Sequence, residues 1–100
     1  MEIQIILTKQ DFESIPDNGV TIHFSDDYIL KAEVISIKEG MPFGEGIRTP
    51  FSIVFRTAQK NEYFDQGTYP IIHPSKGSIP VFLVPIGPDE NGMKYEAVFN

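Results

Sequence analysis

Residues 81–100 read VFLVPIGPDENGMKYEAVFN, and this stretch decides the fold class. Residues 81–86 are apolar without interruption, a pattern that indicates a strand buried on both faces. Residues 87–92 are rich in the glycine, proline, aspartate and asparagine that form turns. After the turn, apolar residues recur at every second position, with Val98 as the exception, at Met93, Tyr95, Ala97 and Phe99. The stretch therefore predicts a β-hairpin.

Upstream segments show the same period of two. Apolar and polar residues alternate over residues 20–25, and residues 51–56 carry an aromatic-rich apolar stripe. Within residues 28–38 the apolar phase changes between Val34 and Ile35, which predicts a β-bulge or a crossing between two sheets. Together these segments predict six or seven short strands in an all-β fold, either an antiparallel sandwich or a small barrel.

Four prolines constrain the strands of the second half. Pro70 and Pro74 have the same parity in a strand predicted over residues 67–74, so both lack an N–H group along the same side. We therefore expect an edge strand whose outer side resists further pairing. Pro80 and Pro85 have opposite parity, so one is expected to begin its strand and the other to lie at a bulge.

One short N-terminal helix precedes the strands. Thr8 is the predicted N-cap, Asp11 occupies the capping-box position, and Leu7 and Phe12 occupy the positions of a hydrophobic staple. The turn-forming residues 16–19 then end the helix after about two turns. We expect this helix to cover one end of the sheet.

The composition fits a single domain over residues 1–100 and argues against several functions. Eight lysines and arginines against fourteen aspartates and glutamates give a net charge of −6, which disfavours binding to nucleic acid or to anionic membranes. The absence of cysteine excludes disulfides and thiolate chemistry. No apolar run approaches the roughly 18 residues of a membrane span, and no signal peptide is recognisable, so a cytoplasmic location is expected.

Catalytic patterns are missing from the sequence. His23 and His73 have no metal-ligand spacing, and no serine lies in a G-x-S-x-G elbow. His73 shares a strand face with Tyr69 and is expected to be half-buried and hydrogen-bonded to the backbone or to a tyrosine. Hairpin-turn chemistry explains the adjacent Asp26 and Asp27. We therefore predict no catalytic residue, no metal site and no cofactor.

The remaining candidates are binding residues, each with a structural alternative. In the glycine-rich stretch 39–49, Met41 and Phe43 could contact a partner or fold back on the sheet. Arg56 could bind a ligand or form an ion pair across strands. Tyr63 and Tyr69, with Phe64, could form an interface patch or pack in the core. His73 completes the set of candidate ligand- or partner-binding residues.

Four motifs carry a resemblance to a known group of proteins. They are PFSIVFR at 50–56, QGTY at 66–69 with HP at 73–74, FLVPIGP at 82–88 and YEAVFN at 95–100. In this order they resemble a family of small, stand-alone bacterial domains with no assigned function. The resemblance covers nearly the whole chain except residues 39–49. It implies an all-β fold and a structural or assembly role, since family genes sometimes lie beside those of phage-tail-collar-like proteins. It supplies no catalytic residues.

Three functional hypotheses follow. The first is a non-enzymatic domain that acts through protein–protein contact or self-association, as an accessory of a phage-tail-like or surface assembly. The second is a β-barrel that binds a small molecule among Arg56, Tyr69, His73 and the Phe51–Phe55 stripe, which requires a pocket of at least about 300 Å³. The third is a hydrolase, which requires His73 within hydrogen-bond reach of a serine or a carboxylate.

Overall fold

A computed structural model describes residues 7–40 and 49–99. In these ranges a short helix and a 3₁₀ turn precede six strands, which confirms the predicted all-β fold with one short N-terminal helix. The elements are α1 (Lys9–Glu13), the 3₁₀ turn (Pro16–Asn18), β1 (Gly19–Ser25), β2 (Tyr28–Glu39), β3 (Phe51–Thr57), β4 (Gly67–His73), β5 (Gly77–Asp89) and β6 (Gly92–Phe99). The strands close into an antiparallel barrel in the order β1-β2-β3-β6-β5-β4. Of the two architectures expected, the chain adopts the barrel.

The barrel has two unlike ends. At the upper end lie the β1–β2 turn at 26–27, the loop 58–66 between β3 and β4, and the β5–β6 turn at 90–91. At the lower end lie α1 and the β4–β5 turn at 74–76. Because neighbouring strands are antiparallel, these connections alternate strictly between the ends.

Inward-facing side chains fill the barrel, and α1 closes its lower end as expected. The Phe12 side chain is fully buried, and four ring centroids lie 5.5 to 6.3 Å from its own. Those rings belong to Phe51, Phe55, His73 and Phe99. Burial of a phenylalanine contributes about 1.5–3 kcal/mol, and each tilted or edge-on aromatic pair adds to that. The short helix is therefore held chiefly by this side chain.

The helix is shorter than predicted, with five residues instead of about two turns. The Thr8 N–H donates to Asp11 Oδ2 over 2.8 Å, so the capping interaction predicted at its start is present. At the other end, Pro16 disfavours helical backbone in the residue before it. Ile15 is accordingly extended, with φ −69° and ψ 125°, and the helix has already ended at Ser14.

A β-bulge explains the change of apolar phase in β2. The register with β3 shifts between Val34 and Ser36, so Ile35 has no partner and its side chain is 36% exposed. The extra residue returns Ile37 to the side of the core, against which it packs. Of the two alternatives predicted for this phase change, a β-bulge or a crossing between two sheets, the register shows the bulge.

The edge-strand prediction for β4 is wrong, because this strand pairs on both sides. It pairs with β5 over its whole length and with β1 through Ile22–Ile71 and Thr21–Ile72. Pro70 faces Pro80 directly on β5. Neither proline has an N–H, so this is a non-hydrogen-bonded pair and the vacant side of Pro70 faces away from β5. Residues 67–70 of β4 pair only with β5, because the pairing with β1 is confined to Ile71 and Ile72.

The second pair of prolines follows the prediction at one position. The register between β5 and β6 shifts between Pro85 and Gly87, so Pro85 borders a bulge as expected. Pro80 does not begin its strand, which starts at Gly77. This position tolerates a proline because residues 77–83 pair with β4, whereas pairing with β6 begins at Val84.

Candidate functional site

An aromatic stack closes the upper end of the barrel. The rings of Phe24 on β1 and Phe64 in the loop 58–66 are stacked, with centroids 4.4 Å apart and an interplanar angle of 7°. The ring centroids of Tyr69 and Tyr95 lie 4.9 and 5.1 Å from that of Phe24, and the ring centroid of Tyr28 lies 5.5 Å from that of Phe64. The stack therefore joins the loop 58–66 to β1, β4 and β6 and to the start of β2.

A buried hydrogen-bond network fixes the loop over this stack. The Tyr95 hydroxyl donates to Gln59 Oε1 over 2.7 Å and accepts the Phe64 N–H over 3.0 Å. The Thr57 hydroxyl donates to the same Gln59 oxygen over 2.8 Å. Burial raises the pKa of the Tyr95 phenol, which keeps the hydroxyl protonated and able to donate. The loop is thus held at its beginning and its middle by one fully buried side chain.

Three large side chains of the upper end are exposed to solvent. Tyr28 is 52% exposed, Ile29 is 51% exposed and Tyr63 is 60% exposed. The neighbouring Tyr69 is half-buried, and its hydroxyl donates to the Asp65 carbonyl oxygen over 2.6 Å. We call Tyr28, Ile29 and Tyr63 the tyrosine end. Tyr28 contacts the stack through Phe64, while Tyr63 and Ile29 are the chain neighbours of Phe64 and Tyr28.

Carboxylates flank the tyrosine end. Asp26 and Asp27 precede Tyr28 in the β1–β2 turn, and Glu62 and Asp65 lie on either side of the Tyr63–Phe64 pair. All four are exposed. Among the described residues, ion pairs form elsewhere and involve none of these four carboxylates.

A second exposed apolar set lies on the outside of the barrel. We call it the outer wall; it consists of Ile35, Phe82, Ile86 and Val98, which are 36 to 61% exposed, and the half-buried Val54 and Val84. Val54 and Val84 both face Glu96 of β6 in the register, so the set spans adjacent strands. Lys94 and Glu96 alternate with Val98 along β6 and interrupt the apolar surface with charge.

Arg56 joins two carboxylates on the outer surface of β3. Nη2 of its guanidinium donates to Glu33 Oε1 on β2, and Nη1 donates to Asp89 Oδ2 over 3.0 Å. The Asn91 N–H donates to Asp89 Oδ1 over 2.8 Å, and the Gly92 N–H donates to the same oxygen. The bond from Asn91, together with Arg56 and the Gly92 N–H, lowers the pKa of Asp89, although burial acts in the opposite direction. An open groove of about 600 Å³ beside Arg56 has Gly19 and Lys31 in its lining.

His73 links the helix to the β4–β5 turn. The side chain is 3% exposed, and its Nδ1 accepts the backbone N–H groups of Ser75 and Lys76 over 3.1 and 3.2 Å. Nε2 therefore carries the proton and donates to the Asp11 carbonyl oxygen over 2.5 Å. Ser75 Oγ lies 3.3 Å from Nδ1, so the distance that a hydrolase requires is met. Two N–H donors already share the lone pair of that nitrogen, which leaves it poorly placed to act as a general base.

The structure brings two of the six candidate residues to the same end of the barrel. Tyr63 and Tyr69 lie at the upper end, His73 lies at the lower end, and Arg56 lies on the outer surface. Met41 and Phe43 lie outside the described residues. The groove beside Arg56 is lined by neither Tyr69 nor His73, so the residues of the small-molecule hypothesis do not meet in one pocket.

Sequence reasoning missed several residues of the upper end. Tyr28 and Ile29 directly follow the two aspartates of a hairpin turn, and large apolar residues beside a turn are a signal that could have been used. The partnership of Gln59 with Tyr95 has no signal in the sequence, since the two residues lie far apart in the chain and meet through the barrel.

These features define the class of the protein: a small, closed antiparallel β-barrel with a helix at one end and an exposed aromatic surface at the other. The chain belongs to the family described as Domain of unknown function (DUF6916), which matches residues 7–99. The resemblance to an uncharacterised domain family is thereby confirmed at the level of the family. Searches of curated proteins and of solved structures found no match.

Within the part of the chain that the structure describes, no helix combines the length and apolarity that crossing a bilayer requires. In the same residues, no group of three or more histidine, aspartate or glutamate side chains is arranged to hold a metal ion.

Proposed function

We propose that this domain is a non-enzymatic protein-interaction module and that the tyrosine end is its contact surface. The observation that carries the proposal is the exposure of Tyr28, Ile29 and Tyr63, each by more than half, on a base fixed by stacked rings and buried hydrogen bonds. Tyrosine is enriched in the buried centres of protein interfaces, where its large amphipathic ring has few torsions to immobilise.

The rigidity of the base favours this role over that of a mobile surface loop. Association costs free energy for every side chain and backbone segment that must become ordered. Here Phe64 is already stacked on Phe24 and its N–H is already bonded to Tyr95, so the backbone beside Tyr63 is fixed before a partner arrives. A larger share of the contact energy is then available for binding.

We extend the proposal to an assembly role, as an accessory of phage-tail-like or surface structures. A subunit of an assembly needs more than one contact surface, and the outer wall supplies exposed apolar side chains away from the tyrosine end. The phage-tail part of the proposal rests on what the sequence motifs imply about related bacterial domains.

Site-specific photo-cross-linking tests the proposal. A benzophenone amino acid is placed at Tyr63 in one variant and at Ser78, an exposed residue of the lower end, in the control. In cells of the native host we expect one defined protein to cross-link at position 63 and not at position 78. That protein is then purified, and its dissociation constant is measured with the wild-type domain and with Y28S/Y63S.

The proposal requires that the double substitution weaken binding by at least about tenfold while the far-UV circular dichroism spectrum stays that of the folded barrel. Tm should fall only by the modest amount that loss of the ring contact between Tyr28 and Phe64 implies. Tyrosines that carry binding typically cost more than about 1 kcal/mol each when truncated. Equal cross-linking at the two positions would contradict the proposal. So would a purified partner that binds Y28S/Y63S as well as it binds the wild type.

A further inference from the structure

The charge around the tyrosine end indicates the chemistry of its partner. We infer that the partner segment that docks there is basic and presents lysine or arginine side chains to the two exposed tyrosines. This inference rests on the proposed function, because it names the partner of the same surface.

The first step is the difference between the two ends of the barrel. At the lower end, Lys9 pairs with Glu13 and Glu39, and Lys76 lies 3.7 Å from a carboxylate oxygen of Asp11. Three carboxylates of the lower end, those of Asp11, Glu13 and Glu39, are thus paired with lysines of the same chain.

The second step is that the chain supplies no such match at the tyrosine end. Within residues 7–40 and 49–99, Asp26, Asp27, Glu62 and Asp65 form no ion pair. The lysine of the same loop, Lys60, is directed elsewhere and donates to the Glu90 carbonyl oxygen over 2.8 Å. Four exposed negative charges are therefore left for a partner to neutralise.

The third step joins the carboxylates to the aromatic rings. The two acidic segments are held side by side, because Phe64 stacks on Phe24 and lies 5.5 Å from Tyr28. A lysine or arginine placed over an exposed tyrosine ring gains a cation–π interaction, and carboxylates of the neighbouring residues attract the same cation. An acidic partner would meet like charge, and a purely apolar one would leave the carboxylates desolvated without partners. A basic segment satisfies both parts of the surface at once.

A peptide titration followed by NMR tests the inference. The probes are a synthetic peptide of alternating arginine and glycine and a counterpart with glutamine in place of arginine. We expect the arginine peptide to shift the amide resonances of Tyr28, Tyr63 and their neighbours, and to bind more weakly as salt is raised. The glutamine peptide should leave those resonances in place.

Two variants of equal charge separate local recognition from the overall negative charge. E62Q/D65N removes two carboxylates of the tyrosine end, and D17N/E96Q removes two from other parts of the surface. Exposed charge pairs contribute modestly one by one, so we expect E62Q/D65N to weaken binding about five- to tenfold and D17N/E96Q by less than about twofold. Equal weakening by the two variants would overturn the inference, as would peptide shifts that avoid the tyrosine end.

The outcome also separates this inference from the proposed function. The cross-linked partner is titrated against E62Q/D65N and against Y28S/Y63S. A partner that needs the tyrosines and binds E62Q/D65N with wild-type affinity would leave the interaction role standing and refute a basic docking segment. A partner indifferent to the tyrosines would refute the proposed function itself.

Discussion

Replacing Tyr95 with phenylalanine removes one oxygen atom from the centre of the upper end and little else. The side chain is fully buried, so the substitution keeps the ring, its packing against Phe24 and the volume of the core. It deletes the donor to Gln59 and the acceptor of the Phe64 N–H. We therefore expect an effect that arises from hydrogen bonding alone.

The expected cost follows from the partners left behind. Gln59 Oε1 keeps the hydroxyl of Thr57 as a donor, so its loss is limited to one bond, worth about 1 kcal/mol. Within residues 7–40 and 49–99 the Phe64 N–H donates to no other acceptor, and an unsatisfied donor at this partly buried position costs about 1–3 kcal/mol. The sum is about 2–4 kcal/mol in the free energy of unfolding. For a domain of this size that corresponds to a fall in Tm of roughly 10–20 °C.

Urea denaturation followed by far-UV circular dichroism measures the free energy of unfolding, and amide hydrogen exchange measures opening at Phe64. Y69F is the matched control, because it also removes a phenol oxygen but breaks only the bond to the Asp65 carbonyl near the surface. We expect Y69F to cost less than about 1 kcal/mol. If Y95F is no more destabilising than Y69F and exchange at Phe64 is unchanged, the network does not fix the loop and the reasoning fails.

Three further predictions concern other parts of the barrel. G92A should destabilise by more than about 3 kcal/mol or prevent folding, because an added Cβ would lie 1.7 Å from the backbone oxygen of Thr57; G19A, with open space around its Cβ, should change the midpoint of urea unfolding little. Because the pKa of Asp89 is lowered in the folded state, its contribution to stability is present above about pH 4 and is lost as the pH falls through the folded pKa. Between pH 5 and pH 3, the Tm of D89N should therefore decline less than the Tm of the wild type. H73A should cost about 2–4 kcal/mol and loosen α1, detected as faster amide exchange at Phe12. S75A should change neither the free energy of unfolding nor this exchange rate, and an equal effect of S75A would refute the linking role of His73.

The sequence predicted the features that depend on neighbouring residues. The bulge at Ile35 was visible as a change in apolar phase, and the capping interaction between Thr8 and Asp11 as a spacing of three. The length of α1 was overestimated because the restriction that Pro16 places on Ile15 acts one residue before the proline.

Features that depend on closure of the barrel could not be read in this way. Parity places the missing N–H groups of Pro70 and Pro74 on one side, a pattern that is typical of an open sheet edge. Closure of the barrel pairs β1 with Ile71 and Ile72 of β4. No local sequence pattern indicates which strands pair in this way. The same limit applies to the candidate site, where Tyr63 was visible as an aromatic residue but its buried support, from Tyr95 and Gln59, comes from distant parts of the chain.

The narrow contact between β1 and β4 gives the barrel a preferred line of opening. Two residue pairs join these strands, fewer than join any other two neighbouring strands of the barrel, so the fewest ladder bonds offset the entropy of closing the long loop between them. A fluctuation along this line would expose two strand edges, the hazard that leads to cross-pairing between molecules. Pro70 lacks an N–H group on the side of β4 that faces β1. If β1 and β4 separate, a strand of another molecule that approaches this edge of β4 finds no N–H donor at Pro70. Transient opening between β1 and β4 would therefore not expose a complete row of N–H donors with which a strand of another molecule could pair.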